Sequence, residues 1–209
     1  MPWAADHKRA TRARIVRAAG GLFRRHGYAG VRIDAIMAAA GLTRGGFYAH
    51  FRSKADLLVA VTREEDAGFV RLLRAAAAGD DPSAAARHVV EDYLEPAHAP
   101  TVGGGCTLAA LVSDIARADR RARQGYTRIV EALVEELERH VPPGATDGHE
   151  RALVAATLCV GGVALARALV DHRLGAALQR ACQARALREL GQALPARSRG
   201  RRPSHRRRS

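Results

Sequence analysis

One glycine limits this chain more than any other residue. In the stretch IDAIMAAAGLTRGGFYAHF, Ile33 to Phe51, Gly41 separates two short apolar patterns of helical period. Ile36, Met37 and Ala40 share a face before it; Phe47 and Phe51, four apart, share one after it. A turn opening on a residue that takes a left-handed backbone without a Cβ penalty joins them, which describes a helix-turn-helix. Leu42 then packs inward, and Thr43 is placed to cap a short helix ending near Phe51.

The flanking sequence completes a small helical head. Ile15, Ala18, Ala19, Leu22 and Phe23 form one face of a helix over roughly Lys8 to His26, with arginines opposite. Gly27 reads as its left-handed cap, and Tyr28 and Val31 fold back onto the apolar face. A second helix is expected over Ile33 to Ala40. Ser53-Lys54-Ala55-Asp56 reads as a capping box that starts a longer helix to about Ala78. Further helices are expected over Ser83 to His98, Cys106 to Ala116, Asp119 to His140, Gly148 to His172 and Leu174 to Leu194. Ala99 to Gly105 reads as a flexible loop.

The fold class is therefore all-α, with about nine helices. A three-helix, helix-turn-helix domain occupies residues 1–54 and a larger helical domain residues 55–196. The arginine-rich tail, 197–209, lacks an apolar anchor and is expected to be disordered. Nine aromatics among 209 residues argue against a β-sandwich or barrel. Met1 to Thr11 lacks the apolar core of a secretory signal. The longest apolar run, Ala152 to Ala166, stops at Arg167, short of the ~18 residues that a membrane span needs. Cys106, Cys159 and Cys182 form neither a disulfide framework nor a zinc pattern, and no metal or cofactor is expected. A soluble, cytoplasmic protein with no membrane partner is the expectation.

Charge is unevenly placed. Of the net +13, residues 1–54 hold +9, residues 55–196 hold −3 and the tail holds +7. A basic head on a slightly acidic body suits a polyanionic partner. Within the head, Phe47 and Phe51 take the core face of the third helix, leaving Arg44, Gly45, Tyr48 and His50 on the others. Such a helix fits a major groove about 12 Å wide. Gly45 and Gly46 weaken it by about 1 kcal/mol each, an inconsistency that close approach to DNA would explain.

From Phe23 to Leu58, the elements HGY, DAI, AGLTRGGFYAHF and SKADLL resemble the DNA-binding region of the TetR family of transcriptional repressors. The resemblance covers about the first 60 residues in detail; the remainder agrees in size and helix count only. It implies that Thr43 caps the recognition helix and offers a group to phosphate. It implies base-edge readout by Arg44, whose fork matches guanine O6 and N7. Tyr48 and His50 would meet the backbone, and Lys54 would clamp another phosphate at a helix N-terminus. Two positions depart from the family's pattern. Arg32 stands where Ser or Thr commonly caps the second helix, and Gly46 where a side chain often touches bases.

The resemblance also implies a homodimer on a palindromic double-stranded DNA operator, released by a small-molecule effector. The apolar helix after Gly148 is the candidate dimer element. Its small residues Ala155, Ala156, Gly161, Gly162 and Ala164 would allow close approach, joined by Leu178 and Cys182. A central core helix within one chain is the alternative. Phe69, Tyr93, Leu108, Leu111 and Tyr126 are candidate effector contacts, equally readable as core. Cys106 follows three glycines and opens a helix, where the helix dipole favours a thiolate. An electrophile- or redox-sensing repressor switched through Cys106 is therefore a second reading, and a non-specific architectural DNA binder a third. An enzyme is not expected: Cys106 has no identifiable base partner, and HExxH, GxSxG and phosphate-loop motifs are lacking.

Overall fold

Short polar side chains mark where four of the helices begin. Asp81 accepts from the Ala84 amide at 2.9 Å and Asp119 from that of Ala122 at 2.9 Å. Asp171 accepts from Arg173 and Leu174, and the Ser53 hydroxyl from Asp56 at 3.1 Å. Each satisfies an amide that the helix itself leaves without an acceptor. Asp56 also accepts from the Arg52 amide, so the expected capping box forms with its return bond shifted by one residue.

The computed structural model describes residues 2–77, 81–95 and 106–191. Its α-helices are α1 (Pro2–Gly30), α2 (Ile33–Ala39), α3 (Lys54–Ala77), α4 (Pro82–Tyr93), α5 (Thr107–Ala116), α6 (Arg120–Glu138), α7 (Gly148–Ala168) and α8 (His172–Glu189). A 3-10 helix, Arg44–Ala49, lies between α2 and α3. Regular structure among the described residues is all helical, as expected. Several boundaries differ from the reading of the sequence, α7 ending at Ala168 rather than His172 and α8 at Glu189 rather than Leu194. α1 starts at Pro2 and is kinked at Gly27, whose φ of 71° and ψ of 159° give a positive-φ, extended backbone that favours glycine but is not the left-handed helical cap expected. α4 ends at Tyr93 rather than His98, and α8 starts at His172 because Asp171 caps it. The loop expected over Ala99 to Gly105 and the arginine-rich tail lie outside the described residues.

Two apolar cores divide the molecule. The head core gathers Ile15, Phe23, Ile36, Met37, Phe47 and Phe51 with Leu57 and Leu58 of α3. It also takes in Leu111 and Ile115 of α5 and Ala122 of α6, so the head is seated directly on the larger domain. Phe23 and Phe47 are fully buried, each contributing roughly 1.5–3 kcal/mol. The second core is built from α3 through α8 around Leu73, Leu94, Leu133, Leu137 and Leu187, with α7 supplying Ala152, Ala155, Cys159 and Val163.

α7 is 21 residues long, and by length and composition it could cross a membrane, which the shorter run read from the sequence did not suggest. Here it packs against α6 and α8 and its small residues line the core. Gly162 shows why they are small. A Cβ there would meet Cys182 Cβ and Sγ at 3.0 Å and Leu94 Cδ2 at 3.2 Å.

Candidate nucleic-acid interface

The turn after α2 is held from three directions. Gly41 has φ 66°, the left-handed conformation expected of it. Its amide donates to Ala38 O at 2.9 Å, and the Leu42 amide to Met37 O at 2.9 Å, satisfying carbonyls at the end of α2. Arg14 of α1 donates to Ala40 O at 2.6 Å. A Cβ on Gly41 would come within 3.1 Å of that guanidinium, so both backbone and space select glycine.

The segment that follows is a 3-10 helix of six residues, tighter than the α-helix expected. Phe47 and Phe51 anchor it, fully and almost fully buried, with ring centroids 5.7 Å apart. Thr43 takes the cap position with extended backbone but makes no side-chain capping bond, so its hydroxyl is not used as expected. Thr43, Arg44, Gly45 and Tyr48 are all exposed, Tyr48 by 62%. Gly46 is half-buried, and a Cβ there would be an ordinary 3.6 Å from Met37. Gly45 is different. Its φ is not positive, and a Cβ there would meet nothing within 4 Å. Neither backbone strain nor internal crowding accounts for this glycine.

Charged and polar groups surround the exposed face. Arg44 Nε lies 3.3 Å from Asp34 Oδ1, and its Nη1 donates to Asp34 Oδ2 at 3.4 Å. Arg32 occupies the cap position of α2 without a capping bond and lies 3.7 Å from the same carboxylate. His50 closes the 3-10 helix; among the described residues its Nδ1 is buried without a partner. Desolvation, then the charges of Lys8 and Arg12, lower its pKa from the usual histidine value. Lys54 is half-buried and donates to Tyr28 O at 2.8 Å and Val31 O at 2.9 Å, with its ammonium 4.4 Å from the Tyr28 ring centre. Desolvation lowers its pKa, while Asp114 opposes the shift.

A joint that no sequence motif signals connects this face to the larger domain. The Tyr28 amide, freed by the kink at Gly27, donates to Asp114 Oδ1 of α5 at 3.1 Å. Arg24 donates to Thr107 Oγ1 at 3.2 Å, and Arg121 of α6 pairs with Asp56 of α3 at 2.7 Å. Gly125 lets α6 lie close on α3, since a Cβ there would stand 3.2 Å from Val59. Its partners come from distant stretches of chain.

Among the described residues, the candidate effector contacts divide between the two cores. Leu108 is buried in the second core and Leu111 in the head core, while Tyr126 bonds Leu108 O at 3.0 Å. Tyr93 and Cys106 pack partly buried against the second core, and the side chain of Phe69 lies outside the described residues. A cavity of about 270 Å³ opens between α3 and α6, lined by Arg63, Val70, Arg74, Arg128 and Ile129. The Arg74 guanidinium donates to Glu136 at 2.9 Å, a carboxylate buried beside it.

Several dimer candidates are buried within the single chain. Ala155, Ala156 and Gly162 are buried by the chain's own packing, and Cys182 sits against Gly162. Gly161, Ala164 and Leu178 are half-buried. The large apolar side chains that α7, α8 and their connection expose are Leu153, Leu165, Val170 and Leu174. Burial arises because α7 faces α8 with its small residues and turns larger ones outward.

Fold and face together define a helical DNA-binding regulator with a helix-turn-helix head. Residues 15–61 match the family of bacterial regulatory proteins, tetR family, and the chain carries that family's DNA-binding domain. Solved structures extend the likeness over most of the chain. Escherichia coli NemR in its reduced form is 18% identical, with a TM-score of 0.73 over 90% of this chain and 99% of that one. A TetR transcriptional regulator from Chloroflexus aurantiacus is 28% identical, with a TM-score of 0.66 over 90% and 97%. A SmeT–triclosan complex is 23% identical, with a TM-score of 0.64 over 87% and 90%. No curated protein matches the sequence.

Proposed function

We propose that this chain is a cytoplasmic, homodimeric repressor that holds a palindromic operator and is released by a small molecule. The observation that carries this reading is the outward face of the 3-10 helix. Arg44, Gly45 and Tyr48 stand exposed on a segment that Phe47 and Phe51 anchor from behind, within a head of net charge +9. Arg44 reads a base edge, while Thr43, Tyr48, His50 and Lys54 contact phosphates. A second copy supports the reading on geometric grounds, because one short recognition segment covers few base pairs. Leu153, Leu165, Val170 and Leu174 supply exposed apolar area for that contact. The triclosan complex of a structural relative supports a small-molecule effector, and the cavity between α3 and α6 offers it room beside the helix that starts at Lys54.

Selection of bound sequences from a random duplex pool tests this. Enrichment of an inverted repeat with half-sites about one helical turn apart is expected. Equal affinity for enriched and random duplex at physiological salt would leave a non-specific architectural binder instead.

A second reading has its own observation. Cys106 occupies the cap position of α5, and the next residue, Thr107, accepts the hydrogen bond from Arg24 of the DNA-binding head. Modification of the Cys106 thiol by an electrophile or oxidant would act one residue from that joint. The fold similarity to NemR, solved in a reduced form, is compatible with it. A Cys106→Ser protein that releases operator on electrophile as readily as the parent would remove this reading.

A further inference from the structure

Residues 1–54 carry two acidic side chains, Asp6 and Asp34, among eleven basic ones. Asp34 stands in the first turn of α2, partly exposed, with Arg44 on one side and Arg32 on the other. An anionic helix N-terminus gains from the helix dipole, and that alone would explain an acid there. It does not explain the contact across the turn, where Asp34 Oδ1 and Oδ2 meet Arg44 Nε and Nη1 at 3.3 and 3.4 Å. The carboxylate and the guanidinium come from the two arms of the helix-turn-helix. Their pairing therefore sets the direction in which Arg44 leaves the surface.

We propose that Asp34 is the specificity-determining partner of Arg44, a positioning residue that holds the guanidinium off phosphates and aims it at a base edge. The inference rests on the reading of Arg44 as a base reader. When DNA is bound non-specifically, an arginine in this position satisfies itself on the nearest phosphate, and that phosphate must then lie beside the Asp34 carboxylate. Like charges at such a distance repel. In the specific complex the acceptors are guanine O6 and N7, which carry no net charge. Asp34 can then keep part of its contact with Arg44 while the remaining guanidinium donors reach the base. The carboxylate thus penalises the phosphate-bound state and leaves the base-bound state favourable. Arg32, at the cap of α2, lies 3.7 Å from the same carboxylate.

The test compares operator and random duplex, using the enriched sequence from the selection, over a series of salt concentrations with full-length protein. Asp34→Asn is expected to tighten random-duplex binding on the order of fivefold, the scale of one exposed charge pair. Its salt dependence should steepen by about one counterion, because a repulsive charge has gone. The ratio of operator to random affinity should fall on the order of tenfold, the scale of one base contact. Asp34→Glu restores the charge with the carboxylate displaced by one methylene; it should restore the salt slope but not the full ratio. Circular dichroism confirms that each variant keeps its helices.

Arg44→Ala and the double variant separate the two claims. If Arg44→Ala keeps the parent ratio, Arg44 is not the reader and the underlying reading fails. If Arg44→Ala loses the ratio, yet Asp34→Asn shifts random and operator binding equally with Arg44 present, the role of Asp34 is overturned alone. Support requires that the Asp34→Asn loss of ratio disappear once Arg44 is absent.

Discussion

Lys54 donates from Nζ to the carbonyl of Val31 at 2.9 Å and to that of Tyr28 at 2.8 Å, so the start of α3 is tied to the end of α1. The ammonium that the family resemblance assigns to a phosphate is also a structural clasp. It ties α3 across the kink at Gly27, with the Tyr28 ring lying against it. Lys54→Ala should therefore do more than weaken DNA binding uniformly. It removes charge-assisted bonds from carbonyls at the end of α1, which costs about 1–3 kcal/mol. Urea unfolding should show that loss in the absence of DNA. An unchanged unfolding midpoint together with weaker binding would restrict Lys54 to the phosphate.

Gly45 allows stability and binding to be separated. Its backbone is not left-handed and a side chain would meet nothing in the protein. Gly45→Ala should thus stabilise the head, by up to about 1 kcal/mol, through lower chain entropy in the unfolded state. The same methyl projects from the exposed face. Operator affinity should fall by roughly tenfold, equivalent to about 1.4 kcal/mol. A variant that gains stability and keeps full affinity would show that DNA does not approach the backbone here.

Gly41→Ala offers the contrasting case. Its φ of 66° and the 3.1 Å approach of Arg14 Nη2 both oppose a side chain. Strain of roughly 1–2 kcal/mol should appear in the free protein, and DNA affinity should fall only as far as the turn distorts. Thermal melting without DNA checks it.

The head was legible because its signals are local. Gly27, Gly41 and Ser53 each declare a turn or cap within a few residues, and Phe47 and Phe51 declare a buried face by spacing alone. The shortening of the third helix to a 3-10 turn was less visible, since Gly45 and Gly46 weaken a helix without stating which tighter form replaces it. The joint was hidden for another reason. Tyr28 and Asp114 are 86 residues apart, and Arg24 and Thr107 are 83 apart; no periodicity relates such positions. The same limit applies to α7. Its small residues suggested close packing, but only the fold shows that α8 of the same chain meets Gly162.

The joint makes its own prediction. Asp114→Ala leaves the Tyr28 amide without its acceptor and removes the charge that opposes the lowering of the Lys54 pKa. A cost of about 1–3 kcal/mol is expected for a partly buried donor left unpaired. Amide exchange should increase at Tyr28 and around the kink, ahead of the rest of α1. Exchange that rises uniformly over the chain would mean that the contact does not hold the head locally.

Thiol reactivity should divide the three cysteines. Cys159 is fully buried, and desolvation, followed by the neighbouring Cys106 and Cys182, pushes its pKa up to about 12. Burial also raises that of Cys182, which is partly exposed. Native labelling at pH 7.5 should therefore reach Cys106 first and leave Cys159 untouched until the protein unfolds. Rapid labelling of Cys159 in the folded state would contradict the packing of α7.

His50 gives a pH dependence whose sign can be worked out for folding and binding separately. Desolvation, Lys8 and Arg12 hold its pKa below the ordinary value of 6.5 in the free protein. The folded state therefore resists protonation. Its stability is fully present above the unfolded-state pKa near 6.5 and declines as pH falls through the window down to the folded pKa. A phosphate beside His50 acts in the other direction, because it favours the imidazolium. Operator binding should accordingly take up a proton and strengthen about threefold as pH falls from 7 to 5.5, while the free protein becomes less stable. Both trends should shrink in His50→Gln, which keeps a polar side chain but does not titrate. If the parent binds operator equally at both pH values, His50 does not meet a phosphate and its orphaned Nδ1 belongs to the head's packing alone.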